Sequence, residues 1–456
     1  VAKSRTQYIC QECGRIAPKA LGRCPQCGAW SSMVEEVVAP PRKRKRSSGL
    51  LSPGVPKRLS EIADDPEERI PLGIAEFARV LGGGIVPGSV VLIGGDPGIG
   101  KSTLLLQMAL AMSERERVLY VSGEESERQL KTRAHRLAQS EKLTHELFIL
   151  AETDLEFITQ HTERVAPSAL VIDSIQTMQF SELESSAGSI TQVRECAARL
   201  QRLAKSSGIA VFLVGHVTKE GAIAGPRVME HIVDTVLYLE GDPYHAYRIL
   251  RSVKNRFGPT TEVGVFEMQH HGLVEVLNPS EAFLAERVVN APGSAVAVTM
   301  EGTRPLLVEI QGLTSKTSFG NPRRTANGID IHRLLLTVAV LSRRVGLRLE
   351  DQDVFINVVG GLQISEPAAD LATAIAIASS LSDKPVPADV ALIGEVGLTG
   401  ELRAVAQIPA RLQGAAKLGF KRVVIPKQVR GEPPAPQGLD IISARSVREV
   451  SALLLV

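Results

Sequence analysis

Residues 94–103 read GGDPGIGKST and contain Gly95-x4-Gly100-Lys101-Ser102, the spacing of a phosphate-binding loop. Ahead of it, Ser89 to Ile93 (SVVLI) is an apolar run suited to a buried parallel strand. Behind it, Leu104 to Met112 (LLLQMALAM) reads as a helix. The order strand, glycine loop, helix gives the motif its physical sense. Glycines let backbone N–H groups turn inward and approach phosphate oxygens where a side chain would block them. The helix that follows offers unpaired N–H groups and the positive end of its dipole. Gly95, Asp96, Pro97, Gly98, Ile99, Gly100, Lys101, Ser102 and Thr103 are therefore the candidate nucleotide contacts. Lys101 can reach the terminal phosphates of ATP, and Ser102 can hold Mg²⁺. The expected activity is nucleoside triphosphate hydrolysis.

The chain has 456 residues, 44% of them hydrophobic, enough for about three domains with sizeable cores. The net charge of +2 hides an asymmetry: residues 1–60 sum to +9 and the remainder to −7. A basic arm on a mildly acidic body points to a polyanionic partner, nucleic acid first. No apolar run approaches the roughly 18 residues of a membrane span, and no signal-peptide core is visible. The expectation is a soluble, cytoplasmic protein with no membrane partner.

Four of the five cysteines fall within the first 27 residues, as Cys10-x2-Cys13 and Cys24-x2-Cys27 with ten residues between the pairs. Each pair sits in a knuckle followed by glycine. Two such turns can aim four thiolates at one tetrahedral Zn²⁺, and four cysteines leave no position for water or substrate, so the site is structural. Residues 1–35 are read as this zinc finger. Residues 36–58, with Pro40, Pro41, Pro53 and Pro56 around Arg42-Lys43-Arg44-Lys45-Arg46, are read as an extended basic linker. Cys196 falls in a helical pattern and is expected to be an ordinary buried thiol.

From 59 to 277 strands and helices alternate as a parallel α/β sheet requires. Val118 to Ser122 ends in Gly123-Glu124-Glu125, Ala169 to Ile172 in Asp173-Ser174, and Ile209 to Val214 in Gly215-His216. Polar residues at the carboxyl ends of such strands converge beside the phosphate loop. Asp173 fits a second acidic motif that binds Mg²⁺. Glu124 is placed to polarise the attacking water, with Glu125 its rival, and His216 is placed to sense the terminal phosphate. Val233 to Leu239 and Tyr247 to Val253 read as a terminal hairpin. Gln179 to Ser189 and Thr218 to Val228 read as mobile loops. Phe180 is the one aromatic residue in these loops, so any base stacking there is expected to be minor and backbone contact dominant, and Lys219 and Arg227, the cations of the second, are the candidates for DNA.

Past residue 278 the composition becomes Ala/Val/Leu-rich and reads α+β. Strands are expected at Ser294 to Glu301, Leu306 to Leu313, Val354 to Val359, Val390 to Gly394 and Arg422 to Ile425. Helices are expected at Ile331 to Val345, Ala369 to Leu381 and Pro409 to Leu418.

The phosphate loop, the segment Gly123 to Ser126 (GEES) and the order of strand-end residues resemble the RecA/DnaB class of ring- or filament-forming ATPases. Lys254-Asn255-Arg256-Phe257-Gly258 (KNRFG) resembles the signature pentapeptide of the RadA (Sms) family of DNA repair proteins. That resemblance covers essentially the whole chain. It implies a RecA-like parallel-sheet ATPase core, a small N-terminal zinc finger and a C-terminal Lon-protease-like domain over 278–456. It also implies a homo-hexameric ring around single-stranded DNA, branched DNA as substrate, the recombinase RecA as partner, and helicase or branch-migration activity. Lys254 and Arg256 would reach across a subunit interface to a neighbour's ATP, and the two loops would line the DNA path.

The run from Lys384 to Val390 and Gly394-Glu395-Val396 resembles the proteolytic domain of Lon proteases, which works through a Ser–Lys dyad. Here Ala368 stands at the serine position and Arg411 at the lysine position. A methyl group cannot attack a carbonyl, and a guanidinium cannot act as general base near neutral pH. The domain is expected to serve ring assembly and DNA contact through Arg323, Arg324, Arg343, Arg344 and Arg348. Two other readings stay open at the level of sequence. One is an ATP-dependent protease, opposed by Ala368 and Arg411. The other is a signalling autokinase ring, since clock-type ATPases share the Glu124-Glu125 pair.

Overall fold

The computed structural model describes residues 5–10, 15–19, 21–30, 32–38, 68–138, 146–183, 185–215, 229–241, 246–318, 320–427, 431 and 433–455. The linker prolines and the Arg42–Arg46 run lie outside them. Two compact units divide the chain, Val1–Pro243 with Arg248–Glu275, and Tyr244–Tyr247 with Val276–Val456.

At the amino end, β1 (Arg5–Cys10) pairs antiparallel with both β2 (Ile16–Ala17) and β3 (Met33–Val38), giving a three-stranded ribbon. The ATPase core begins with α1 (Ala75–Leu81) and β4 (Val90–Gly94), which feeds α2 (Lys101–Met112). Then follow β5 (Val118–Ser122), α3 (Glu127–Ala138), β6 (Leu147–Ala151), α4 (Leu155–Val165), β7 (Ala169–Asp173), α5 (Ile190–Ser207) and β8 (Ala210–Val214). The sheet order is β12-β11-β10-β9-β4-β8-β7-β5-β6, parallel from β9 through β6.

β4, β5, β7 and β8 are buried along their whole length, so they read as continuous apolar runs rather than alternating ones. Their residues still sort by the period of two. Val91, Ile93, Tyr120, Val171 and Phe212 share one cluster with Leu104, Leu105 and Met108 of α2. Val90, Leu92, Val121, Ile172 and Leu213 share the other with Ile158 of α4 and Val193, Cys196 and Leu200 of α5. Two helix starts are fixed locally: Asp154 caps α4 by accepting from the Glu156 N–H, and Ser189 caps α5 by accepting from Gln192. Burial pushes the Cys196 thiol up to about 12, so it is the inert buried thiol expected of it.

The structure departs from the sequence reading in two places here. β9 (Thr235–Glu240) and β10 (Tyr247–Asn255) are antiparallel neighbours but do not end the sheet. β11 (Val263–Gln269) and β12 (Gly272–Glu275) extend it. The segment after β7 also offers no aromatic platform. Phe180 is buried, and the Gln192 side chain ties this stretch together by accepting from the Phe180 N–H and donating to the Phe180 and Ser185 carbonyls. The Arg199 guanidinium covers the ring at 3.4 Å. One glutamine, ten residues or so downstream, satisfies backbone groups that would otherwise keep the segment in water.

In the second unit, α6 (Pro279–Leu284) precedes β13 (Ser294–Glu301), β14 (Arg304–Lys316), β15 (Arg324–Asn327), α7 (Ile331–Val340) and β16 (Gln352–Val358). Next come α8 (Asp370–Ser382), β17 (Val390–Leu392), the β18 (Glu395–Val396) and β19 (Leu402–Arg403) hairpin, α9 (Ile408–Lys417), β20 (Arg422–Pro426), β21 (Asp440–Ala444) and α10 (Val447–Leu454). The mixed sheet runs β15-β16-β14-β13-β17-β20-β21. Every residue of α8 from Asp370 to Ser379 is buried. Its alternating alanines let the helix approach the sheet so closely that a Cβ at Gly312 would meet Ala376 at 3.0 Å. Among the described residues no helix is long and apolar enough to cross a membrane.

Candidate active site

β4 ends at Gly94 and the chain turns through 95–100 into α2, whose first residue is Lys101. Gly95 has φ +149°, and a Cβ there would lie 2.5 Å from the Leu239 carbonyl oxygen. The loop therefore needs glycine for space as well as for its dihedral. Gly100 precedes α2 at φ 114° with no side-chain cap, so the first N–H groups of α2 are left for a ligand. The Lys101 ammonium is buried and donates to the carbonyls of Gly95 (2.8 Å) and Asp96 (2.9 Å). Burial holds its pKa below the usual lysine value, against the opposing pull of Asp173, Asp96 and Glu124. A desolvated cation in a glycine loop at the start of a helix suits a polyphosphate.

The strand order brings the acidic residues to this loop. Asp173 ends β7 and accepts from the Ser102 hydroxyl at 2.9 Å through Oδ1. Its other oxygen accepts from the Tyr120 hydroxyl of β5 at 2.5 Å. Glu124, in the turn after β5, accepts from Ser174 at 2.7 Å. Glu125 is engaged differently, in an ion pair with Arg133 of α3 at 2.5 Å. That guanidinium also lies 3.9 Å from Asp173 and 3.4 Å from the Tyr120 oxygen. Both N–H groups of the Glu pair reach back to Ser122 Oγ, and a Cβ at Gly123 would overlap the Thr177 hydroxyl at 2.1 Å. The turn is thus packed too tightly for any residue but glycine. Tyr120, Arg133 and Ser174 carry no motif of their own. A tyrosine inside an apolar strand and a cation on the polar side of a helix gave no signal in sequence.

Ser102 and Asp173 could hold Mg²⁺: they bring a hydroxyl and a carboxylate 2.9 Å apart, oxygen ligands of the kind a hard cation takes. For zinc, the Sγ atoms of Cys10, Cys24 and Cys27 lie within 4.8 Å of one another. Cys13 lies outside the described residues. Backbone N–H donors of Cys27 and Gln26, with the thiols of Cys10 and Cys27, hold Cys24 down at about 6 against the effect of burial. Thiolates are what a Zn²⁺ ion takes. His216, Lys219 and Arg227 also lie outside the described residues.

KNRFG occupies the opposite end of the sheet. Asn255 pairs with Thr235, and Thr235 with Val91 near the start of β4, whereas the phosphate loop leaves the end of β4. A bulge between Ser252 and Lys254 turns the Lys254 side chain out of register, and its ammonium donates to the carbonyls of Glu230 (2.6 Å) and Val233 (2.9 Å). Arg256 is half exposed and lies 3.4 Å from the buried Asp234 carboxylate, which also accepts from Lys205 (3.0 Å) and the Val90 N–H (3.1 Å). Asn255 accepts from the Phe257 N–H at 3.0 Å and so shapes the turn. The structure does not bring Lys254 and Arg256 to this chain's own phosphate loop.

In the second unit Ala368 is buried in the 3-10 turn Pro367–Ala369 that leads into α8, and Arg411 is buried in α9. The Arg411 guanidinium pairs with Glu366, two residues before Ala368, and donates to the carbonyls of Val298 (2.7 Å) and Ala406 (2.9 Å). Each of its three nitrogens donates to an acceptor, as a buried guanidinium requires. The cation that replaces the expected base is a structural pin. Of the proposed DNA-contacting arginines here, Arg323, Arg343, Arg344 and Arg348 are exposed. Arg324 instead donates to the carbonyls of Arg323, Gln352 and Leu349.

Three family profiles match the chain: an AAA domain over residues 56–222, a rubredoxin metal binding domain over 8–35, and subunit ChlI of Mg-chelatase over 334–429. Among solved structures, a KaiC-like protein of Pyrococcus horikoshii OT3 is similar at 23% identity and a TM-score of 0.39, covering 46% of this chain and 100% of that one. The DNA repair protein RadA of Bacillus subtilis (strain 168) is 53% identical over 454 residues, covering 98% of both chains. That of Listeria monocytogenes is 52% identical over 449 residues, again 98% of both. The fold is a RecA-like ATPase core with a zinc ribbon and a Lon-protease-like domain, its cofactors are ATP, Mg²⁺ and Zn²⁺, and on this full-length identity the chain belongs to the family of DNA repair protein RadA.

Proposed function

We propose that the chain is an ATP-driven motor that works as a homo-hexameric ring on single-stranded and branched DNA, extending or migrating branches of recombination intermediates. Its parts would be the zinc finger at 1–35, the linker at 36–58, the ATPase at 59–277 and the protease-like domain at 278–456. The recombinase RecA would be its partner and the cytoplasm its place of work. The observation that carries the hydrolytic part is the meeting of Lys101, Ser102, Asp173 and Glu124 at one end of the sheet.

In this reading Lys101 leaves the loop carbonyls for the terminal phosphates, and the loop N–H groups from Gly95 to Thr103 hold the rest of the polyphosphate. Ser102 and Asp173 hold Mg²⁺, which neutralises charge on the phosphate oxygens. Glu124 orients the attacking water and takes its proton. Glu124 is preferred to Glu125 because Glu125 already pairs with Arg133, whereas Glu124 is among the charges acting on Lys101. His216 would report the state of the terminal phosphate to the segment carrying Lys219 and Arg227. Lys254 and Arg256 would complete a neighbouring subunit's site, since they lie at the far end of the sheet from their own loop.

The test is ATP turnover with and without single-stranded DNA, followed by a branch-migration assay on a three-strand junction. Lys101→Ala is expected to abolish both activities. Turnover indifferent to DNA, together with an unmoved junction, would remove the motor reading. Casein degradation or phosphate incorporation into the protein would favour the protease or autokinase instead.

A further inference from the structure

The chain contains one tryptophan, and the structure leaves it in the open. Trp30 is 74% exposed at the end of the second cysteine knuckle. It is the most exposed of the large apolar side chains among the described residues. Arg23 and Trp30 bridge each other across the turn that holds Cys24 and Cys27. Arg23 is fixed in place: its Nε donates to the Gly28 carbonyl at 2.9 Å, and its Cζ lies 5.8 Å from the indole centroid. Two planar groups, one of them cationic, are thus presented by the second cysteine knuckle.

The surroundings point to what would cover them. Positions 13–34 contain Arg15, Lys19 and Arg23 and no acidic residue, and all three cations are exposed. The basic run Arg42–Arg46 follows in the sequence. Leu21 and Val34 are also exposed, which a protein partner could use, but such a partner gives no reason for the excess of cations over residues 1–38, where Lys3, Arg5, Arg15, Lys19 and Arg23 stand against Glu12, Glu35 and Glu36. A single-stranded nucleic acid accounts for both features. Each base offers a π-face for the indole and the guanidinium, and each phosphate an anion for Arg15, Lys19 and Arg23. Stacking of this kind is tolerant of sequence.

We propose that Trp30, flanked by Arg23, is a base-stacking platform through which the zinc ribbon binds single-stranded nucleic acid. The platform is a contact additional to those of the motor, and the inference rests on the DNA-motor reading. Tethering it to the ATPase by the linker raises the effective concentration of DNA at the ring.

Because position 30 holds the sole tryptophan, intrinsic fluorescence of the full-length, zinc-loaded protein reports on this site alone. Titration with oligo(dT) should quench the emission with the same midpoint as the rise in anisotropy of a labelled oligo(dT). Trp30→Ala should weaken oligo(dT) binding roughly 5- to 150-fold, the worth of one stacked base, while Trp30→Phe keeps most of it. Zinc content verifies that each variant retains its fold. Anisotropy that reports binding while the indole emission stays unmoved, as a protein-docking role would give, overturns the platform and leaves the motor reading intact. Unaltered affinity in Trp30→Ala does the same. Absence of oligo(dT) binding by anisotropy would overturn the motor reading itself, and the platform with it.

Discussion

Changing Arg256 to alanine separates chemistry in trans from local structure. In its own chain Arg256 is a half-exposed partner of Asp234 at 3.4 Å, a contact worth about 0–1 kcal/mol. Removing it does not orphan the buried carboxylate, which keeps Lys205 at 3.0 Å and the Val90 N–H at 3.1 Å. The expected loss of stability is therefore at most about 1 kcal/mol, roughly 2–4 °C in Tm. Nor is a direct effect on its own nucleotide expected. The motif is level with Val91, and the phosphate loop begins beyond Gly94, at about 3.3 Å of rise per residue further along the strand. If Arg256 instead stabilises charge on a neighbour's ATP, turnover should fall about 10³-fold or more. That is about 4 kcal/mol of barrier, well outside what the Asp234 contact can supply. The assay pairs steady-state phosphate release with binding of a fluorescent ATP analogue, which should remain as in the unaltered protein. Assembling Arg256→Ala together with Lys101→Ala should regenerate turnover, because some interfaces then join an intact phosphate loop to an intact Arg256. A normal basal rate in Arg256→Ala, or a lost rate with no recovery in the mixed rings, refutes the trans role.

Tyr120→Phe removes the hydroxyl that donates to Asp173 at 2.5 Å and should raise the Mg²⁺ concentration needed for half-maximal turnover several-fold. An unchanged Mg²⁺ titration would mean that Ser102 alone positions the carboxylate. Arg411→Ala strips Glu366 of its cation inside the second unit and should cost about 3–5 kcal/mol in urea unfolding, a loss that a surface role would not produce. Ala368→Ser should yield no peptidase, because Arg411 still cannot take a proton; cleavage of a fluorogenic peptide would contradict this. Cys10→Ser should lose the single Zn²⁺ equivalent by metal analysis while ATP turnover persists. Loss of both together would show that the ribbon supports the core.

What the amino-acid order determined unaided is whatever depends on neighbours along the chain. The phosphate loop is readable because its ligands are consecutive N–H groups, so ten residues contain the whole device. The cysteine knuckles are readable for the same reason, and so is the want of a hydroxyl at Ala368 and of a titratable amine at Arg411, which is a matter of residue type. Asp173 and Glu124 were also legible, since a polar residue closing an apolar strand marks the carboxyl edge of a parallel sheet. What holds them was not. Tyr120 of β5 and Arg133 of α3 meet Asp173, and Ser174 meets Glu124, only because β5 and β7 are sheet neighbours. Tertiary contact alone decided that Phe180 is core rather than platform, because the Gln192 side chain satisfies the backbone beside it. It alone set KNRFG at the far end of the sheet, through the pairing of β10 with β9 and β9 with β4. Pairings between distant segments depend on which surfaces can be buried together, and no window of sequence carries that energy.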